Sequence, residues 1–156
     1  MEIISKSASD TIKIGKLIAK NSKPQDIICL FGQLGAGKTV LAKGIACGLG
    51  IERKKVISPT FVLIRQHTQG KLPFYHFDLY RLESLNDILN LGYEEYLYGQ
   101  GVSVIEWADR LGCLTPKEFL KVELKFLDDS RRKFKFTGLG KHYKEMVKNI
   151  NENISN

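Results

Sequence analysis

Gly32-Gln33-Leu34-Gly35-Ala36-Gly37-Lys38-Thr39 follows without a gap on the apolar run Ile27-Ile28-Cys29-Leu30-Phe31. Five successive apolar residues read as a strand buried on both faces, the pattern of a central parallel strand. The octapeptide fits G-x-x-x-x-G-K-T in full. Behind it Val40, Leu41, Ile45 and Leu49 recur at helical spacing, an apolar face expected to lie on the sheet, until Gly50 stops the helix. Strand, glycine loop and helix in this order form a phosphate-binding loop, and its chemistry needs each part. Gly32, Gly35 and Gly37 permit positive φ and leave no Cβ in the way, so backbone N–H groups can wrap phosphate oxygens. The helix beginning near Lys38 adds its positive end. Lys38 is expected to reach the β- and γ-phosphates, and the Thr39 hydroxyl to ligate Mg²⁺. The stretch from Gly32 through Gln33, Leu34, Ala36 and Lys38 to Val40 is therefore assigned to a nucleotide, ATP or ADP.

Such a loop needs an acid near the metal, at the end of an apolar strand. Two positions qualify: Asp78 after Phe74-Tyr75-His76-Phe77, and Glu106 after Val102-Ser103-Val104-Ile105. Either can hold Mg²⁺ through water while the other orients an attacking water. The bland alternative for each is a solvated carboxylate at a strand end.

Outward from this centre the pattern is α/β. Ser9-Asp10 can cap a helix running to about Lys20, with Ile14, Leu17 and Ile18 on one face. Phe61 to Arg65 and Phe74 to Phe77 read as strands, Glu83 to Tyr98 as a helix broken near Gly92, and Val102 to Ile105 as a further strand. Leu120, Val122, Leu124 and Phe126 alternate with polar residues, as do Phe134 and Phe136 beyond Asp128-Asp129-Ser130, which predicts an antiparallel hairpin. Tyr143, Met146, Val147 and Ile150 have helical spacing. The expectation is one domain over residues 1–156: a mostly parallel central sheet with antiparallel additions, helices on both faces, and a basic tail or helix over about residues 138–156.

Composition sets bounds on function. Hydrophobic residues make up 43% and charged residues 26%, ordinary for a globular chain. The longest apolar runs fall far short of the ~20 residues of a membrane helix, and Met1-Glu2-Ile3-Ile4-Ser5-Lys6 has no apolar signal region. Cys29, Cys47 and Cys113 form no C-x-x-C pair, so reduced intracellular thiols are the simpler reading. The net charge is +7. From Arg131 onward seven basic residues face two acids, a bias that suits contact with nucleic acid or simply a solvated surface. An N-K-x-D element for guanine is missing, as is an arginine-rich lid of the small-molecule kinase kind.

Three further segments complete a recognisable set: Ser58-Pro59-Thr60-Phe61, His76-Phe77-Asp78-Leu79-Tyr80-Arg81 and Ile105-Glu106-Trp107. With Leu34-Gly35-Ala36-Gly37-Lys38-Thr39 they make a chain that resembles the TsaE family, also called YjeE, from about Ser9 to Phe126. The resemblance implies an ATPase with ATP and Mg²⁺ as ligands, at work in the bacterial cytoplasm. The implied partners are TsaD-like and TsaB-like proteins that build threonylcarbamoyladenosine into tRNA; the ATPase drives the partner complex rather than making the base. Contact with tRNA would be indirect or through the basic C-terminal end. By position, the resemblance assigns Lys38 and Thr39 to phosphate and metal, Glu106 to the metal and water site, and Asp78 to the second essential acid. It casts Thr60 as a switch threonine that senses the γ-phosphate and puts Trp107 beside the nucleotide. Arg81 is left between phosphate and Asp78, and His76 between orienting Asp78 and filling space. Where many relatives follow the tryptophan with proline and glutamate, this chain has Ala108-Asp109. Two competing readings stand beside this one: a P-loop kinase of a small metabolite with Asp78 as base, and a nucleotide-dependent binding module with negligible turnover.

Overall fold

Residues 1–155 are described by the computed structural model. In chain order they form β1 (Glu2–Ser5), α1 (Ala8–Lys20), β2 (Ile27–Phe31), α2 (Lys38–Gly48), β3 (Ile64–His67), β4 (Phe74–Asp78), α3 (Leu85–Asn90), α4 (Tyr93–Leu97), β5 (Val102–Glu106), β6 (Phe119–Phe126), β7 (Arg132–Leu139) and α5 (Lys141–Ser155). All seven strands join one sheet in the order β1-β7-β6-β2-β5-β4-β3. The pairs β6–β2, β2–β5 and β5–β4 are parallel. The flanking pairs β1–β7, β7–β6 and β4–β3 are antiparallel. The sheet is thus parallel in its core and antiparallel at both margins, as the sequence pattern predicts.

Side-chain parity explains the two cores. Along β2, Ile28 and Leu30 point to the face covered by α1, α2 and α5, while Ile27 and Cys29 point to the face under α3 and α4. The first face takes Ile18, Leu41, Ile45, Met146 and Ile150; the second takes Ile88, Tyr93 and Leu97. A strand between two apolar layers must be apolar at every position, which is why its sequence does not alternate.

Helices α1 and α2 meet along a seam of glycines. A Cβ at Gly15 would lie 2.6 Å from the carbonyl carbon of Gly44, and one at Gly44 would lie 2.7 Å from the Ile12 carbonyl oxygen. No side chain fits between the two backbones, so the helix that follows the glycine loop is docked directly on α1. At the N-terminal end of β2, on the same face of the sheet, α5 grips the entry to that strand. The Ile27 N–H donates to the Tyr143 hydroxyl at 2.9 Å, and His142 Nε2 lies 2.8 Å from Asp26 Oδ1. Burial raises the Asp26 carboxyl above its usual range, opposed by the Lys23 N–H and by His142.

Several boundaries differ from the sequence reading. Helix α1 is capped by Ser7, whose side chain accepts from the Asp10 N–H, and not by Ser9-Asp10. The strand expected from Phe61 begins only at Ile64; Phe61 is 82% exposed. Chain 83–98 is two short helices, the first with a Ser84–Asp87 capping box, parted at Gly92 with φ of 64°. Val40 turns away from the sheet toward the glycine loop, because it lies on the flank of α2 opposite Leu41 and Ile45. β1 carries no signal in the sequence: its four residues hydrogen-bond to the edge of β7 and are only partly buried.

Candidate functional site

The glycine loop leaves β2 at its C-terminal end, where parallel α/β sheets form their ligand crevices. Gly32, Gly35 and Gly37 have φ of 152°, 77° and 99°, the backbone shapes the motif requires. At Gly32 the demand is also steric: a Cβ there would sit 2.5 Å from the Leu124 carbonyl oxygen. Gly37 precedes the first residue of α2 in a left-handed conformation, so the N-terminal N–H groups of the helix face the crevice.

The crevice is a cavity of about 420 Å³ lined by Leu34, Gly35, Gly37, Lys38, Thr39 and Val40 from the loop and helix. Ser58, Thr60, Asp78 and Tyr80 line it from one side, Glu106 and Trp107 from its floor, and Arg132 from β7. That is the size range of small-molecule sites. Three residues assigned to the nucleotide from sequence stand apart. Ala36 buries its methyl in the core, and Gly32 and Gln33 serve through their carbonyls, which accept from Lys38 Nζ at 2.6 and 2.9 Å.

Asp78 and Glu106 end neighbouring parallel strands and are direct register partners. Period two places His76, Asp78 and Glu106 on the sheet face covered by α2. The two acids have different company. Glu106 is 2% exposed; its Oε2 accepts from Thr39 Oγ1 at 2.8 Å and its Oε1 lies 2.7 Å from His76 Nε2. Asp78 holds the loop over the crevice. Its Oδ2 accepts from Thr60 Oγ1 at 2.7 Å and from Ser58 Oγ at 3.3 Å, and its Oδ1 accepts from the Tyr80 N–H. His76 therefore pairs with Glu106, a partner that neither of the two alternatives left open by the sequence, orienting Asp78 or filling space, names: the path runs diagonally to the next strand. Arg81 reaches neither Asp78 nor the cavity lining; its guanidinium stacks 4.7 Å over the exposed Phe61 ring.

Lys38 Nζ rests 3.8 Å above the centre of the Trp107 ring. Burial lowers the Lys38 pKa, opposed first by Glu106 and then by Asp78. Trp107 takes φ of 58°, a left-handed conformation that costs a bulky residue strain, directly after Glu106. Tyr80 packs against its ring at 4.9 Å. Arg132 was missed by sequence reasoning. It stacks over Phe126 at 4.5 Å and reaches the cavity beside Gly37, yet in sequence it is one of a run of surface cations. Only the hairpin register, which sets Arg132 opposite Phe126, distinguishes it.

The donor set suits Mg²⁺: Thr39 and Glu106 offer hard oxygens 2.8 Å apart at the helix N-terminus, and phosphate and water oxygens can complete such a shell.

Comparison with known proteins gives the family and the fold. The profile described as "Threonylcarbamoyl adenosine biosynthesis protein TsaE" matches residues 5–134. The chain is 43% identical over 149 residues to the tRNA threonylcarbamoyladenosine biosynthesis protein TsaE of Bacillus subtilis, covering 94% of this chain and 92% of that one. It is 40% identical to the protein of the same name from Treponema pallidum, over 85% of this chain and 96% of that one. The crystal structure of Bacillus subtilis YdiB superposes with a TM-score of 0.83 at 36% identity, covering 98% of this chain and 95% of that one. The match begins at β1 and ends in β7, wider at both ends than the four motifs alone mark out. A glycine loop, two strand-end acids and a hydroxyl-bearing loop, all on one crevice, thus occur in a chain that belongs to the TsaE family.

Proposed function

We propose that this chain is a Mg²⁺-dependent ATPase that supports threonylcarbamoyladenosine modification of tRNA in concert with TsaD-like and TsaB-like proteins. The observation that carries the ATPase part is the convergence of Lys38, Thr39, Asp78, Glu106 and Thr60 on one cavity at the helix N-terminus. The tRNA part rests on family membership. Bound Mg²⁺ would supply neutralisation of charge between the β- and γ-phosphates. The chain's own residues do the rest. Loop N–H groups and the start of α2 hold phosphate oxygens, and Lys38 exchanges its bonds to the Gly32 and Gln33 carbonyls for phosphate oxygens. Thr39 and Glu106 form the metal side of the site. Asp78 governs the Ser58–Thr60 loop, whose hydroxyls line the same cavity and would sense a γ-phosphate. Trp107 and Arg132 complete the lining of the cavity.

A small-molecule kinase would need Asp78 free as a base. Here both Asp78 oxygens accept hydrogen bonds from Ser58, Thr60 and the Tyr80 N–H, which favours a loop-control role. The test is multiple-turnover tRNA modification by reconstituted partners with this chain, without it, and with Glu106→Gln. Stimulation that needs ATP and intact Glu106 is expected, and the chain alone should convert ATP to ADP and phosphate and to nothing else. Modification that proceeds equally well without the chain overturns the tRNA assignment, and failure of the chain to bind or hydrolyse Mg·ATP overturns the ATPase assignment.

A further inference from the structure

We propose that His76 is a positioning residue that ties the Glu106 carboxylate to the sheet and thereby sets the Mg²⁺ requirement of the site; the inference rests on the ATPase reading above. His76 is fully buried, with its ring 5.6 Å from that of Phe74. A carboxylate only accepts, so the Nε2–H donates to Glu106 Oε1 at 2.7 Å. His76 Nδ1 is buried without a partner among the described residues. The bond to Glu106 is therefore what this histidine gains over a phenylalanine, which would fill the same space.

The two bonds on Glu106 differ in what they fasten it to. Thr39 lies at the start of α2, so its hydroxyl follows any movement of the phosphate loop. His76 lies on β4, hydrogen-bonded along its length to β5, the strand that bears Glu106. The His76 bond keeps the carboxylate aimed at the crevice whatever Thr39 does. A Glu side chain has three rotatable torsions, and each rotamer it regains moves the carboxylate away from the metal side of the site. Partners behind a ligand residue of this kind typically contribute about 10–100-fold to metal affinity or activity.

The experiment compares His76→Phe, which keeps the ring and removes the donor, with His76→Gln, whose amide N–H can reach the Nε2 position. Thermal unfolding, ATP affinity without metal, the Mg²⁺ concentration for half-maximal ATP affinity, and kcat and KM are measured for each. Expected for His76→Phe is cooperative unfolding, metal-free ATP affinity within about twofold of the parent, and either a rise of about 10–100-fold in the Mg²⁺ concentration required or a fall of that size in kcat; His76→Gln recovers most of it. In metal-free protein, the ring ¹⁵N shifts of His76 are expected to show a protonated Nε2 that moves in Glu106→Gln. Parental Mg²⁺ dependence and kcat in His76→Phe overturn the inference and leave the ATPase reading intact. So does a His76→Gln variant no better than His76→Phe, with the loss tracking unfolding. A parent protein that binds no Mg·ATP overturns both readings.

Discussion

Thr60→Val keeps the branched shape of the side chain and removes one hydroxyl, and the structure indicates how far the loop over the crevice should loosen. Thr60 Oγ1 donates to Asp78 Oδ2 at 2.7 Å, and Ser58 Oγ reaches the same oxygen at a longer 3.3 Å. Hydrogen bonds to a charged group contribute about 1.5–3 kcal/mol. Apart from buried Pro59 and the Arg81 stack on Phe61, the other ties of this segment are backbone hydrogen bonds around Leu63. Phe61 and Val62 are 82% and 52% exposed, so burial adds little, and Leu63 sits at φ of 69°, where a leucine bears about 1–2 kcal/mol of strain. The Thr60 bond and the Leu63 strain are therefore of similar size and opposite sign. Losing about 2 kcal/mol shifts the ratio of open to closed loop by roughly thirtyfold. The Val62 and Leu63 N–H groups, which donate to the Pro59 carbonyl at 3.0 and 2.6 Å, report that opening in native-state hydrogen exchange. Both should exchange about ten- to thirtyfold faster in Thr60→Val, while amides of β2 and β5 keep their parental rates. Unchanged exchange at Val62 and Leu63 would refute the tether, as would acceleration spread evenly through the sheet.

Lys38→Ala removes the cation over the phosphate loop, and at two charge-assisted bonds of about 1.5–3 kcal/mol each, calorimetry should show Mg·ATP affinity down by at least about a hundredfold. Undiminished affinity would place the nucleotide elsewhere. Gly44→Ala sets a helix-propensity gain of about 1 kcal/mol against overpacking of about 1–3 kcal/mol. The atoms met are backbone, Ile12 O at 2.7 Å and Ile12 Cα at 2.9 Å, so the helices must part and overpacking wins. The melting temperature should fall by a few degrees, and a rise would show that the seam yields. Asp26 binds its proton more tightly folded than unfolded, so its contribution to stability falls as pH rises through the range between the two values. Urea unfolding at about pH 4 and about pH 7 should show the parent losing stability relative to Asp26→Asn as pH rises; a constant gap would remove Asp26 from the pH dependence.

The parts of this fold legible in the sequence are those whose signal is local. Buried β2, the glycine loop and the start of α2 are contiguous, and each constrains the next. The Asp128–Ser130 turn announces the β6–β7 hairpin by the alternation on either side of it. β1 left no trace because an edge strand of four residues, of which only Ser5 is buried, needs no apolar pattern; the free edge of β7 makes it a strand. Phe61 misled because an exposed aromatic in an apolar-looking run has the same letters as a buried one. For the site, both acids could be placed at strand ends, but not their partners. Which acid His76 serves depends on the register of β4 against β5, and whether Arg132 sees the cavity depends on that of β6 against β7. Those registers are pairwise properties of distant segments, invisible to period and spacing.

The grip of α5 on the entry to β2 has a practical side. His142 and Tyr143 act at Asp26 and Ile27, and the glycine loop begins at Gly32, about 16 Å further along a strand rising about 3.3 Å per residue. The start of α5 is therefore a landing place set back from the crevice by one strand length. With the exposed Cys113 replaced by serine, a dye or biotin coupled to a cysteine introduced at exposed Lys141 would tether the molecule to a surface at a point away from the crevice. Immobilised this way, the chain can be presented to successive solutions of nucleotide, metal and candidate binders, and the order in which they must arrive can be timed one molecule at a time.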